Sequence, residues 1–423
     1  MANIKTVRNY MMKYFNEDKL PEIVIHKLFP VTNSLLNRDE TGAQKSAMMD
    51  VLRMRIASQC IKRPITTALL EDGSLRTRRM AKILQDRYLS DHPDTAEDRK
   101  KYLADLLKGI LITKKEDDSK GSGKKKKAKE EDAEVKTQIL FYSRQDVDDL
   151  YAAVEEAMQS DDTVDNAKAA VRGRMEKTAS SRGINAVIAL IGRMSTDKML
   201  TSVYSALRVS HAYSVSKMAG DTDFYTAVDD YSDPKSSFFA DDSGQDDNTG
   251  ADKGAAQMDT KDINSNIMYV CFCINTRTFV ENLLLQETEI SEAVVEQTIR
   301  FAYTFFAKLI SMIAVTMPDT NQSAMYSNAR PNAMAVVITN SHGQTADNAF
   351  LKAIDRKNAD REAIEKLRDI LEDDAFRPSS ERRTGYWITL NAYKDIKEPE
   401  GFARTTLRDL ESIIEKGEWN DLV

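Results

Sequence analysis

Six cationic side chains, Arg38, Lys45, Arg53, Arg55, Lys62 and Arg63, fall within LNRDETGAQKSAMMDVLRMRIASQCIKR, residues 36–63, where acids are few. The whole chain carries a formal net charge of -7, so this stretch departs locally from an acidic average. In LRMRIAS, Leu52, Met54 and Ile56 alternate with Arg53, Arg55 and Ala57, the period of a half-buried strand with both arginines on its open face. Ser58 then stands as the N-cap of a short helix from Gln59, which sets unpaired N–H groups and the positive end of a helix dipole beside Lys62 and Arg63. The turn-rich NRDETGAQK brings Arg38 and Lys45 to the same side. Phosphate binding is the chemistry this set offers, and a plain solvated strand face is the other reading the same charges allow.

Other reactive residues are sparse. The four histidines, His26, His92, His211 and His342, are scattered and form no metal or triad pattern, and neither a phosphate-binding P-loop nor a dinucleotide fingerprint occurs. Cys60, Cys271 and Cys273 are too few for a disulfide framework and lack zinc spacing, which fits a reducing cytoplasm. The start lacks a secretory signal, and no stretch reads as a membrane span. These residues predict a cytoplasmic protein with no catalytic centre, metal or cofactor.

The elements that must position the cations come next. The chain has 423 residues, 41% hydrophobic and 30% charged, which fits a soluble protein of two or more lobes. Residues 21–33 read as a strand, and from about Thr66 to Gly109 the pattern turns helical, with Leu103, Leu106 and Leu107 at helical spacing. The Lys-rich 113–134 holds nothing to anchor a core and predicts a disordered insertion. TQILFYS reads as a short strand before a helix capped by Ser143 with Asp146 three residues on. Residues 183–194 form a buried element, 221–261 are loop-like, acidic and dotted with aromatics, and 266–275 and 332–339 are strands. A long amphipathic helix runs from about Ser291 to Thr316. The fold class is α+β, one sheet domain from which other lobes project.

NRDETGAQKSAMMDVLRMRIASQCIKR resembles the signature of the CasC family, the multi-copy backbone subunits of the type I-E CRISPR surveillance complex Cascade. Members carry an N-R-D-D loop and then R-x-R-I-S-S-Q-x-x-K-R. GSLRTRRMAKIL (73–84), IALIGRMSTDKML (188–200), DFYTAVDD (223–230), FVENLL (279–284) and ADNAFLKAI (346–354) resemble further family segments in the family's order. Three departures stand out: MMDVL replaces a Gly-Gly pair, Ala57 replaces the first serine of S-S-Q, and Pro64 follows Arg63, predicting a kinked or shortened helix.

The resemblance implies an RNA-recognition-motif-like palm, an antiparallel sheet with helices, bearing an inserted helical fingers lobe and an extended thumb loop. The corresponding boundaries are an N-terminal extension (1–21), a first palm segment (22–64), fingers (65–183), a second palm segment (184–219), thumb (220–261), and a third palm segment with the C-terminal region (262–423). It implies guide-RNA contacts at Arg38, Lys45, Arg55, Ser58, Gln59, Lys62 and Arg63, with Met194 wedging against the guide near a kink. Phe224, Tyr225, Thr226 and Val228 correspond to the thumb segment beside the displaced base. The implied partners are guide RNA, target DNA paired to it, further copies head to tail, a guide-processing endonuclease, a 5′-handle-binding subunit, and large and small subunits. Two alternatives remain: a target-RNA-cleaving backbone of type III kind using Asp39, and a generic single-strand-binding filament protein.

Overall fold

The computed structural model describes residues 20–39, 42–43, 45–48, 51–70, 73–111, 139–160, 162–181, 183–195, 198–218, 220–227, 257–285, 287, 290–318 and 325–418. The Lys-rich insertion, Val228 and residues 1–19 lie outside them. The chain opens with β1 (Glu22–Ser34), the small strands β2 (Arg38–Asp39), β3 (Gly42–Ala43) and β4 (Lys45–Met48), then β5 (Val51–Ile56) and helix α1 (Ser58–Leu69). A lobe follows with β6 (Leu75–Thr77), α2 (Met80–Asp91), α3 (Glu97–Leu111), β7 (Leu140–Tyr142), α4 (Arg144–Gln159) and α5 (Val164–Ser181). Next come α6 (Ala186–Ile191), β8 (Leu207–Val209), β9 (Ala212–Ser214), β10 (Gly220–Ala227), the long β11 (Gln257–Asn275), α7 (Thr276–Leu284) and α8 (Glu292–Val315). The chain ends with β12 (Ala333–Thr339), α9 (Ala359–Glu372), β13 (Arg383–Thr389), β14 (Phe402–Arg404) and α10 (Leu407–Lys416).

One sheet organises these elements in the order β14-β13-β12-β1-β11-β9-β5-β4, with β8 and β10 also on β11. The pairs are antiparallel except β13 with β14. β1 is covered on both faces, which is why it reads as a nearly continuous apolar run. Ile23, Ile25 and Phe29 pack with Phe306, Ile310 and other residues of α8, while Val24 and Leu28 pack with Ile364 and Leu367 of α9. The α2–α5 lobe has its own core, including Leu84, Leu103, Leu107, Val154 and Met175. Ser143 and Asp146 form the expected capping box at the start of α4.

Several expectations change. The helical stretch from Thr66 to Gly109 is interrupted by β6, and α1 starts earlier, at Ser58. Pro64 does not shorten α1, because its ring is buried alongside Ile61 and Ile65 and the helix runs on to Leu69. The supposed loop 221–261 has strands at both ends: β10 and β11 pair from Gly220↔Asn264 to Ala227↔Gln257. Polar residues dominate both strands, so the hairpin shows no apolar alternation for a sequence reading to detect. The helix α8 is long and apolar enough to cross a membrane, contrary to the expectation, yet Val295, Ile299, Phe306 and Ile313 are buried in the palm core.

Two polar residues interrupt the apolar run of β1, one on each face. Lys27 extends toward α8, where its ammonium donates to the Ile313 carbonyl at 2.7 Å and caps the helix end, and burial pushes its pKa down to about 7. On the other face the Ala346 N–H donates to the Tyr269 hydroxyl, which is hydrogen-bonded to Nδ1 of His26 at 2.9 Å. Burial pushes the His26 pKa down to about 4, so the ring is neutral at pH 7. The unfolded chain, at the ordinary 6.5, takes up the proton first. Stability contributed by neutral His26 is therefore present above pH 6.5 and lost as pH falls toward 4, on the order of 3 kcal/mol in all. In His26→Asn, whose side-chain amide can make the same bond, this share of the acid loss disappears, as thermal unfolding between pH 7 and 4 will register.

Candidate nucleic-acid interface

The start of α1 is where the basic stretch converges. The Ala57 N–H donates to Oδ1 of Asn37 at 2.8 Å and the Cys60 thiol to the Leu36 carbonyl at 3.5 Å, so the loop before Arg38 lies against the helix start. Lys45 sits opposite Met54 in the β4–β5 pair, at the end of β5 that leads into α1. Arg38, Lys45, Gln59 and Arg63 are exposed. Lys62 is half-buried, donates to the Leu207 carbonyl at 3.1 Å, and has its pKa lowered by burial. Arg38, Lys45, Lys62 and Arg63 have no carboxylate partner among the described residues, whereas Arg87, Arg144, Arg300, Arg361 and Arg404 are each ion-paired.

Two of the sequence assignments need correction. Ser58 is not the N-cap: Ala57 holds that place with φ -63 and ψ 142 and no side-chain cap. The helix instead finds acceptors from afar, Asn37 for the Ala57 amide and Nδ1 of His211, at 3.3 Å, for the Ser58 amide. Nδ1 therefore accepts and the ring proton resides on Nε2 of this exposed histidine. Arg53 does not stand on an open face. Its side of β5 is roofed by the 214–216 backbone and the turn Asp347–Phe350, leaving it 0% exposed. The guanidinium donates to the carbonyls of Ser214 at 2.9 Å, Val215 at 2.8 Å and Phe350 at 3.3 Å. Arg55, two residues on, is half-buried opposite Tyr213, and its Nε lacks a partner among the described residues.

Met194 is 73% exposed and so does not pack in the core. It follows Arg193, whose N–H and C=O both bond Val203 across a narrow hairpin. Arg193 is buried, donates within the hairpin to the Thr201 carbonyl, and holds the hairpin to the α2–α5 lobe through Asp146 at 2.8 Å and the Phe141 carbonyl. Gly192 has φ +77, and a Cβ there would lie 2.7 Å from the Ser205 nitrogen, so a side chain is excluded. In the β10–β11 hairpin Phe224 is 62% exposed, and Tyr225 and Thr226 pair in register with Asp259 and Met258. Asp39 belongs to β2 opposite Gly42. Among the described residues no group of His, Cys, Asp or Glu is arranged to hold a metal.

Asn37 and His211 are the functional-site residues that a sequence reading misses. Asn37 precedes Arg38 in the signature loop and offers a detectable signal, whereas His211 has no local one.

A family model described as CT1975-like protein matches residues 23–412. Among solved structures, a chain titled "CRISPR RNA-guided surveillance complex, pre-nicking" is similar at TM-score 0.65 and 19% identity, covering 93% of this chain and 99% of that one. Another, titled "CRISPR RNA-guided surveillance complex", is similar at TM-score 0.59 and 16% identity over the same shares. No curated protein matches the sequence.

The burial contrast has a measurable consequence. Arg53→Ala leaves three buried carbonyls without their donor and lowers the unfolding free energy by about 3–5 kcal/mol. Arg38→Ala and Arg63→Ala, at exposed positions, change it by about 0.5 kcal/mol or less, and urea unfolding of the three variants will separate the two classes.

Proposed function

Since this chain belongs to the CT1975-like protein family, we propose that it is the backbone subunit of a type I-E-like CRISPR surveillance complex and binds guide RNA along its phosphate backbone. Its role is that of a CasC-type Cascade protein in CRISPR defence. The observation that carries the guide-binding reading is the set of cations around the start of α1, Arg38, Lys45, Lys62 and Arg63, without carboxylate partners among the described residues in a protein of net charge -7. A carboxylate within reach would satisfy such groups internally; left open, they favour a polyanion.

Phosphate contacts hold register without reading sequence, which suits a subunit that must accept any guide. The guide's bases then remain available to pair with target DNA. Further copies bind head to tail, with the β10–β11 hairpin of each reaching the next, and the companions are a guide-processing endonuclease, a 5′-handle-binding subunit, and large and small subunits. The protein works in the cytoplasm and cuts nothing itself, so Asp39→Asn leaves guide and target intact and unchanged.

The test is to express the chain with its neighbouring genes and a CRISPR array, purify it, and sequence the bound RNA. Uniform repeat-spacer RNA is expected, and heterogeneous RNA or none would overturn the proposal. In titrations with single-stranded RNA, Lys45→Ala and Arg63→Ala each weaken binding and reduce the slope of log K against log salt by about 0.7.

A further inference from the structure

We propose that Tyr204 stacks on a base of the guide, forming with Met194 a two-sided clamp; this rests on the guide-binding reading above. Tyr204 is 80% exposed, and its ring and hydroxyl have no partner among the described residues. Its backbone, by contrast, is fixed. The buried Asn282 amide donates to the Tyr204 carbonyl and to the Ala189 carbonyl, both at 2.8 Å, and so ties the strand to α6. The Ala206 N–H donates to Leu190, and the Asn275 N–H to Ala206. An aromatic side chain held out from so rigid a base is preorganised for a contact that the chain itself does not supply.

The register places Met194 beside it. Arg193 and Val203 face each other in the bridge, so Met194 and Tyr204 both point to the opposite side from buried Arg193. They are diagonal neighbours across the bridge. Both side chains stand open, Met194 at 73% and Tyr204 at 80% exposure, so one flat ring can reach both. The surroundings are cationic: Lys198 is exposed in the same hairpin, and Leu207, three residues beyond Tyr204, holds Lys62. An apolar clamp beside cations fits an unstacked base with its phosphate, whereas an apolar protein surface would leave those charges unanswered.

The experiment measures single-stranded RNA affinity of the complex assembled from the full chain, its companions and guide-length RNA, for wild type and for Tyr204→Phe, Tyr204→Trp, Tyr204→Leu and Tyr204→Ala. The Phe and Trp variants keep wild-type affinity, and the Leu and Ala variants lose about tenfold at an unchanged salt slope, because a stacking face and not a charge is removed. Equal affinity across all five overturns the clamp while Arg63→Ala still binds weakly, which leaves the guide-binding reading standing. Tyr204→Ala that keeps RNA but fails to form head-to-tail assemblies also overturns it, and assigns Tyr204 to a neighbouring copy. Wild type that binds no RNA overturns both readings.

Discussion

A buried guanidinium governs the geometry of the basic stretch. Arg53 reaches through the covered face of β5 to three carbonyls, those of Ser214 at the end of β9, Val215 just after it, and Phe350. Strand β5 lies near the sheet edge, where among the described residues it pairs with β4 and with Tyr213 and Ala212 of β9. The arginine adds side-chain bonds on the covered face to those of the ladder. Part of the candidate interface follows along the chain from that point: Arg55 two residues later, then the start of α1 with Gln59, Lys62 and Arg63. A charge with no water is costly unless its donors are satisfied, and this arrangement places that cost where it also defines position.

The distribution of charge has the same logic. Several surface arginines elsewhere are neutralised by nearby acids, as with Arg361 and Asp395 or Arg87 and Asp148. Such pairs add little stability in water, but they shorten the reach of each charge. Around α1 the described cations Arg38, Lys45, Lys62 and Arg63 lack carboxylate partners among the described residues, and the helix end adds its own partial positive charge. A net charge of -7 therefore coexists with a local excess of positive charge.

Much of the palm is legible in the sequence because its signals are local. β1, β11, β12 and α8 announce themselves through long apolar runs or a helical stripe, and the Ser143 box needs only four residues. The corrected readings concern contacts that local patterns do not encode. The partners of Arg53 lie 161, 162 and 297 residues away, and alternation alone cannot say that its side of the strand has a roof. Ser58 looks like a cap by residue type, yet Asn37 and His211, 20 and 153 residues distant, take over the amides. The β10–β11 hairpin fails to declare itself for the opposite reason. Polar residues dominate its strands, which therefore lack the apolar alternation by which strands are read.

Arg193 connects the hairpin that bears Met194 with the α2–α5 lobe. Its guanidinium is buried between the palm hairpin, through Thr201, and the α2–α5 lobe, through Phe141 and Asp146. Asp146 also accepts from the Ser143 N–H and hydroxyl, so one carboxylate both caps α4 and receives the palm. The capping box is thus more than a helix start, since the hairpin bearing Met194 is bonded to it. Movement of the lobe must either carry the Met194–Tyr204 face along or break a buried ion pair, and the second costs several kcal/mol. The exposed apolar face and the lobe are therefore mechanically one unit, while α1 is fixed by Ile61 and Ile65 in the core and by Lys62 on the Leu207 carbonyl.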